Sequence, residues 1–526
     1  MSKPKTNPAK ILAIAKRLAK KSGHFPTMQT LKSAGVFREV VRQGFGSYGG
    51  LEQALYKAHP EIFSLAPVQS LVTSAHRRAV GAVKTHKTFF VTTAVVGCSA
   101  NLDMLQAMET FCNARNAEPL VLITADPASR QSPGGRGYVD TELTAYSVVT
   151  QALRINRNLS ISDIQLSAKQ IEPVLGLDRF VKQASSMIFA SPKQRLRYVP
   201  TSPGKLPSAL MGTGACTIPN YRPRTFTEAR TAFMAAHDHV MGGVIVEVEN
   251  DQIFHFRQVQ FIGSGFADLG KWYDGDGHIT EYRPAAAVLG DLHAGVTDAG
   301  ARKFAYELFD LTNPVDIAIH DAFNGSPVNH HNKGKLTTRS AISATIQSEV
   351  GRLAAELDGF ALRGKISLID SNHNRWLREY LDRGDYVHDR ENYRYAIQLV
   401  QAMHEGKDPL DWAIRQVAPK LKFRSLSGTD SWIVGKHELA VHGHAGPNGR
   451  RGASQQELER SYGRCVTGHV HTPGIFRGVK QVGTMSPLYD PAWMQGASSW
   501  MCTHALVYPN GGYQLINKIG DTWRLG

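Results

Sequence analysis

Cysteine is scarce in this chain: five residues in 526 (Cys98, Cys112, Cys216, Cys465 and Cys502), with no Cys-x-x-Cys pair among them. An odd number at such scattered spacing argues against a disulfide framework or a thiolate zinc site, and reduced, buried thiols are expected. Long apolar runs are missing too. Phe89 to Cys98, the longest near the N-terminus, spans ten residues and includes Thr92 and Thr93, whereas crossing a bilayer takes roughly 20. The opening MSKPKTNPAK has neither the apolar stretch nor the small-residue cleavage site of a secretory signal, so a cytoplasmic protein without a membrane partner is expected. Acidic residues are nearly absent from one region. Residues 1–87 hold fifteen Lys and Arg against Glu39, Glu52 and Glu61, which places +12 of the net +15 there. Basic charge so concentrated suits a polyanion, because displacing counterions from phosphates is favourable.

Hydrophobic residues make up 42% of the sequence, enough for a full core, and the length suits two to four domains. From Lys10 to Lys21 the apolar Ile11, Leu12, Ile14, Ala15, Leu18 and Ala19 recur at helical spacing, with Lys16, Arg17, Lys20 and Lys21 mostly opposite; the pattern predicts an amphipathic helix ending at Gly23. Thr27 can cap a second helix through Lys32, and Ser47 a third through Leu51 to Ala58. Three short helices with basic edges form a small module over residues 1–62, with Lys16, Arg17, Lys20, Lys21, Arg38 and Arg42 as candidate DNA contacts. Residues 63–76 read as a linker. An accessory α/β domain of unknown role is expected over 77–283, opening with strand (TFFVTTAVVGC), helix (NLDMLQAMETFCNAR) and strand (EPLVLITA). Frequent Pro and Gly between about 190 and 225 predict irregular backbone there, followed by a β-hairpin in HVMGGVIVEVEN and QIFHFRQVQFIG. The glycines of GTGAC (212–216) have no following Lys-Ser/Thr, so they do not read as a phosphate loop.

From Ala285 the chain becomes regular. Short apolar strands AAAVLG, VDIAIH, KISLID, ELAVHG and RCVTGH alternate with helical stretches at 298–311, 338–358 and 391–404, and each strand ends in a polar cluster. The clusters are GDLHAG (Asp291, His293), HDAFNG (Asp321), SNHNR (Asn372, His373), VHGHAG (His442, His444) and GHVH (His469, His471). Ligands bind beyond the carboxyl ends of strands in open α/β sheets, so five clusters converge on one face. Residues two apart share a side of a strand, so Asp-x-His and His-x-His can each chelate an ion. Carboxylate, imidazole and amide donors suit Mn²⁺, Fe²⁺ or Zn²⁺. A carboxylate between two such pairs can bridge ions about 3.5 to 4 Å apart, sharing a hydroxide nucleophile; Asp321 is the natural bridge. His444 is left as a turn residue.

These motifs resemble the calcineurin-like metallophosphoesterase superfamily, whose order is Asp-x-His, Gly-Asp, Gly-Asn-His-Asp/Glu, His, Gly-His-x-His. The resemblance covers Ala285 to the C-terminus. It implies a β-sandwich flanked by helices over 284–526, with Asp291, His293 and His471 on one metal, Asn372, His442 and His469 on the other, Asp321 bridging, and His373 as the catalytic histidine acting on the leaving oxygen. Two positions depart from the pattern: His320 stands where a glycine is usual, and Asn374 where an acid is usual. The second removes the carboxylate that often fixes the imidazole tautomer; Asp370 is a candidate replacement. After the bridge, NGSPVNHHNKGK offers Asn329, His330, His331 and Lys333 to a phosphodiester, and Arg375 follows the catalytic cluster. An aromatic, basic helical insertion at about 375–423 stands where the superfamily often grows a cap. The N-terminal FPTMQTLKSAG…VVRQGFGSYGGLEQAL resembles the small repeat beside homing-endonuclease domains, thought to contact DNA. The wording as a whole, including HDAFNGSPVNHHNKG, resembles phage-encoded metallophosphoesterase DNases and, more distantly, SbcD-type nucleases. The expectation is a homo-oligomeric, two-metal DNase, manganese its most suitable ion with Mg²⁺, Fe²⁺ or Zn²⁺ as alternatives, in the host cytoplasm if phage-encoded. A small-molecule phosphatase or cyclic-nucleotide phosphodiesterase, and a non-enzymatic DNA-binding protein on a decayed phosphoesterase scaffold, stand as alternatives.

Overall fold

The structure is a computed structural model that describes residues 7–22, 26, 28–45, 48–62, 65–67, 74–124, 138–164, 166–181, 185–221, 226–329, 345–489 and 496–525. It is a mixed α/β architecture with several sheets.

The N-terminal helices run Pro8–Ser22, Met28–Ser33, Arg38–Phe45 and Tyr48–Ala58. Ile11, Ala15, Ala19, Leu31, Val36, Val41, Leu51 and Leu55 close a small core of their own, so the stripe on the first helix is buried by its three neighbours. The helix Arg38–Phe45 adds a fourth to the three expected, its apolar face reduced to Val40, Val41 and Phe45. The caps expected at Thr27 and Ser47 lie outside the described residues. Within the stretch expected as a linker, Leu65–Pro67 pairs antiparallel with Tyr138–Asp140, and the helix Ser74–Thr85 begins at its end.

Next comes a five-stranded sheet in the order Phe254–Gln260, Gly242–Val248, Thr88–Val95, Ala117–Thr124, Ser147–Val149. The expected hairpin is there, pairing Gly242 with Gln260 through Val248 with Phe254. The helix Leu102–Arg115, capped by Asn101 and closed by Asn116 in the left-handed region, packs Met104, Met108 and Phe111 against Phe90, Val121 and Ile245 of this sheet.

The site depends on two further sheets. One has six strands in the order Phe423–Leu426, Lys365–Ile369, Asp316–Ile319, Ala286–Val288, Thr503–Val507, Tyr513–Asn517, the first four mutually parallel. Alternation along its strands feeds two cores. Ala287, Ile317 and Ile319 pack against Phe304, Leu308, Val350, Leu353 and Leu357 of the helices Ala299–Thr312 and Ile346–Ala361. Ala286, Val288 and Ala318 point the other way, against Leu196, Leu439, Val466, Ile475 and Val482.

Those partners belong to or flank a ten-stranded sheet that crosses the boundary expected at residue 284. Ile433–Val434, His437–Glu438, Cys465–Thr467, Val479–Gln481 and Gly474–Phe476 continue into Arg195–Val199, Ser208–Gly212, Ser186–Phe189, Leu159–Ile161 and Leu153–Asn156. The join is antiparallel, Gly474 opposite Arg197. The backbone expected to be irregular between about 190 and 225 therefore contains two paired strands; its Pro200, Pro203 and Gly204 mark the turn between them. The cap expected over 375–423 is instead a continuation of the helical layer. Its helices Asn372–Asp382, Tyr393–His404 and Pro409–Val417 bury Leu377, Leu381, Leu399, Leu410 and Ile414 in the same core as Ile346–Ala361, and Tyr380 is buried with them.

Candidate metal centre

Asp291, Asp321 and Asn372 follow the carboxyl ends of the three neighbouring parallel strands Ala286–Val288, Asp316–Ile319 and Lys365–Ile369. His442 and His469 follow His437–Glu438 and Cys465–Thr467 on the facing sheet, parallel to each other. The bridge Asp291–Thr484 ties the two sheets together at this edge.

Four of these residues leave their strands in the left-handed region: His293 at φ 48°, Asp321 at 41°, His469 at 76° and His471 at 57°. Non-glycine residues persist there only where surrounding contacts over-determine them, and such strain concentrates at functional sites. Gly468 illustrates the crowding, since an added Cβ would collide with the Asp291 carboxylate.

The side chains form two groups that share Asp321. In the first, Asp291, His293, Asp321 and His471 bring one donor atom each within 4.8 Å of the others. His471 Nε2 is 3.2 Å from Asp291 Oδ2 and 3.1 Å from His293 Nε2, which is 3.9 Å from Asp321 Oδ2. In the second, His442 Nε2 lies 3.2 Å from Asp321 Oδ2 and 3.1 Å from Asn372 Oδ1, and His469 Nδ1 is 3.2 Å from the same amide oxygen. Asp321 Oδ2 thus faces both. His444 stands off, its ring 5.5 Å from that of His442 and 6.4 Å from that of His469.

The chemistry of this donor set fits divalent ions. Asp291 Oδ1 is buried without a hydrogen-bond partner, and ring nitrogens converge within hydrogen-bonding distance with no obligatory donor between them. Burial lowers the His293 imidazole to about 3 and also lowers His469. Burial works against ionised carboxylates, yet His442 and its neighbours hold Asp321 well below its ordinary value, and Asp291 is lowered by His442 and His471. Burial likewise opposes charge on His442, but Asp321 and Asp291 outweigh it and raise that group. Ionised Asp291 and Asp321 and the neutral imidazoles of His293 and His469 are the protonation states metal ligation requires, whereas His442, held more basic by the two carboxylates, must give up its proton to ligate.

His373 is buried beside this centre, its ring 4.4 Å from that of His293 and 3.8 Å from that of Trp376. Its Nδ1 is 2.8 Å from the carbonyl oxygen of Asn324; a carbonyl only accepts, so Nδ1 carries the proton and Nε2 is left for chemistry. Asp370 does not orient this ring, because both of its oxygens are engaged by the Arg375 guanidinium. That pair also occupies the Arg375 expected to meet substrate. Asn374 serves the backbone, accepting from Phe323 N–H at 3.0 Å and donating to Ile369 C=O at 3.2 Å. His320 takes part as well: fully buried, it lies stacked against His442 with their Nδ1 atoms 3.3 Å apart, so the residue standing where a glycine was expected buttresses a candidate ligand. Among the loop residues expected to meet substrate, Asn329 is buried; His330, His331 and Lys333 lie outside the described residues. In the N-terminal module Arg17, Lys20, Lys21 and Arg42 are exposed, Lys16 is half-buried, and Arg38 begins its helix.

The chain has a phage relative. It is similar to Protein A1 of Escherichia phage T5, 28% identical over 355 residues, which is 61% of this chain and 60% of that protein. The chain thus matches less than two thirds of that relative's length. No family model and no solved structure matches. Among the described residues, no helix is long and apolar enough to cross a membrane.

Proposed function

We propose that this protein is a two-metal phosphodiesterase of the calcineurin-like type that hydrolyses DNA, with manganese as its most suitable ion. The observation that carries the reading is the shared carboxylate: Asp321 Oδ2 faces His293 on one side and His442 on the other, with Asp291 and His471 completing the first group and Asn372 and His469 the second. Two divalent ions there would polarise a phosphoryl oxygen and acidify water. Asp291, His293 and His471 would hold one ion and Asn372, His442 and His469 the other, with Asp321 shared between the two groups. His373, with its Nδ1 proton committed to Asn324, would take a proton from solvent at Nε2 and, as the imidazolium, give it to the leaving oxygen, returning to the neutral tautomer. Trp376 and His293 close over its ring and restrict water.

DNA is favoured as substrate by the N-terminal module, where residues 1–62 carry a net +8 and Arg17, Lys20, Lys21 and Arg42 project from a helical bundle. The division of labour follows: the module binds DNA, and residues 284–526 carry the chemistry with the strands of 77–283 buttressing their second sheet. A phage relative is consistent with a phage-encoded enzyme working in the host cytoplasm.

The test is digestion of supercoiled plasmid and linear duplex by the full chain in Mn²⁺, Mg²⁺ or EDTA, with bis(p-nitrophenyl) phosphate in parallel. DNA degraded in Mn²⁺ and intact in EDTA is the expected result. Chromogenic hydrolysis with DNA untouched would favour a small-substrate phosphodiesterase, and binding of DNA without hydrolysis of either substrate would favour a decayed scaffold.

A further inference from the structure

The helix Ile346–Ala361 buries a face made of Ile346, Val350, Leu353, Leu357 and Phe360, and on that same face two acids, Glu349 and Glu356. Seven residues apart, they point the same way two turns along the helix. Buried carboxylates are costly unless their lone pairs are used. Each serves a loop that leaves the metal centre. Glu356 accepts from Gly295 N–H at 3.1 Å and from the Thr297 hydroxyl, bracing the turn after His293. Glu349 accepts from Gly325 N–H, one residue beyond the Asn324 carbonyl that holds His373.

That carbonyl is clamped from both sides. Asn374 Oδ1 holds the N–H of Phe323 before it, and Glu349 holds the N–H of Gly325 after it. Gly325 sits at φ +72°, and a Cβ there would meet Trp376 at 2.9 Å, the residue whose ring packs against His373. Neither the loop nor the imidazole can shift alone. Glu349 Oε2 is buried and unpartnered, an arrangement that fold stability alone does not favour. Burial raises this carboxyl to about 7, against the pull of the loop N–H groups and Arg352.

We propose that Glu349 is a positioning residue for His373: through Gly325 it fixes the Asn324 carbonyl that selects the imidazole tautomer, replacing at one remove the acid absent at Asn374. The inference rests on the reading of His373 as the group that acts at the leaving oxygen.

A double-mutant cycle tests it, using the full chain loaded with Mn²⁺ and bis(p-nitrophenyl) phosphate as probe. Glu349→Ala should lower kcat by about 10- to 100-fold, the range for losing an outer support of a catalytic centre, with KM and metal content unchanged. Glu349→Gln, which keeps an oxygen for Gly325 and preserves shape, should recover most of that loss. In a His373→Ala background, Glu349→Ala should cost nothing further, because the two act as one unit. An equal loss in both backgrounds, or loss of bound metal, would overturn the proposal. A second readout needs no turnover: ¹⁵N spectra of the Zn²⁺-loaded protein, with the His373 ring assigned by its disappearance in His373→Ala. The wild type should show the Nδ1–H tautomer, Glu349→Ala a partial shift to Nε2–H, and Glu349→Gln, which keeps the acceptor for Gly325, little change. A tautomer unchanged in Glu349→Ala would overturn the inference even in a protein that cleaves no phosphodiester, whereas a wild type without turnover but with the shift in Glu349→Ala would overturn only the functional reading.

Discussion

The N-terminal module and the metal centre use charge in opposite ways. The module packs eight small and aliphatic side chains inside and leaves Arg17, Lys20, Lys21 and Arg42 in water, where each cation is independent of its neighbours and screened by salt. The metal centre takes Asp291, Asp321 and His442 out of water almost completely, sets them against one another at 3 to 4 Å, and bends the backbone at His293, Asp321, His469 and His471 into the left-handed region to do so. A surface of separate charges loses function gradually. A buried, shared constellation loses it at a single substitution.

The largest expected effect follows from that sharing. Asp321→Ala or His469→Ala should abolish metal-dependent hydrolysis while cooperative thermal unfolding persists; wild-type turnover at saturating metal in either variant would break the assignment of a joint site. Next comes His373→Ala, which should lower turnover by about 10² to 10⁴, the range for a general acid or an equivalent charge stabiliser, with metal content intact by elemental analysis. An emptied site would make His373 a ligand. Deleting residues 1–62 should weaken DNA binding and flatten the slope of log affinity against log salt, yet spare hydrolysis of bis(p-nitrophenyl) phosphate. An unchanged slope would remove the module from the DNA interface and leave its charge to solubility or subunit assembly. The smallest effect belongs to single surface cations: Lys20→Ala or Arg42→Ala should reduce that slope by about 0.9 for each phosphate no longer neutralised and change folding stability by less than about 0.5 kcal/mol. A stability loss of core size would contradict the independence of these charges.

The convergence of candidate ligands is legible in the sequence where they stand at strand ends, because a short apolar strand closed by Asp-x-His or His-x-His leaves a local pattern. What holds those residues in place leaves less. The Asn324 carbonyl that fixes His373 is a backbone atom, and no residue type announces it. His320 departs from an expected glycine, but only the structure reveals that its ring backs His442. Glu349 and Glu356 do leave a signal, since two acids fall on the apolar face of the expected 338–358 helix; two turns of periodicity are easily read as a hydrophobic stripe with ordinary interruptions. The joining of Gly474–Phe476 to Arg195–Val199 is hidden for a different reason. Hydrophobic period specifies that each is a strand and says nothing about which strand lies beside it across more than 270 residues. In the module, the stripe on Pro8–Ser22 runs over four turns and is plain, whereas Arg38–Phe45 carries its apolar face on only Val40, Val41 and Phe45, two turns that are easily passed over.

The central claim is that one carboxylate organises two ions, and anomalous diffraction from crystals grown with Mn²⁺ addresses it directly. Two peaks about 3.5 to 4 Å apart should flank Asp321 Oδ2, one beside Asp291, His293 and His471 and the other beside Asn372, His442 and His469, and both should fade in Asp321→Ala. A single peak in the wild type, or two peaks unaffected by the loss of Asp321, would contradict the account.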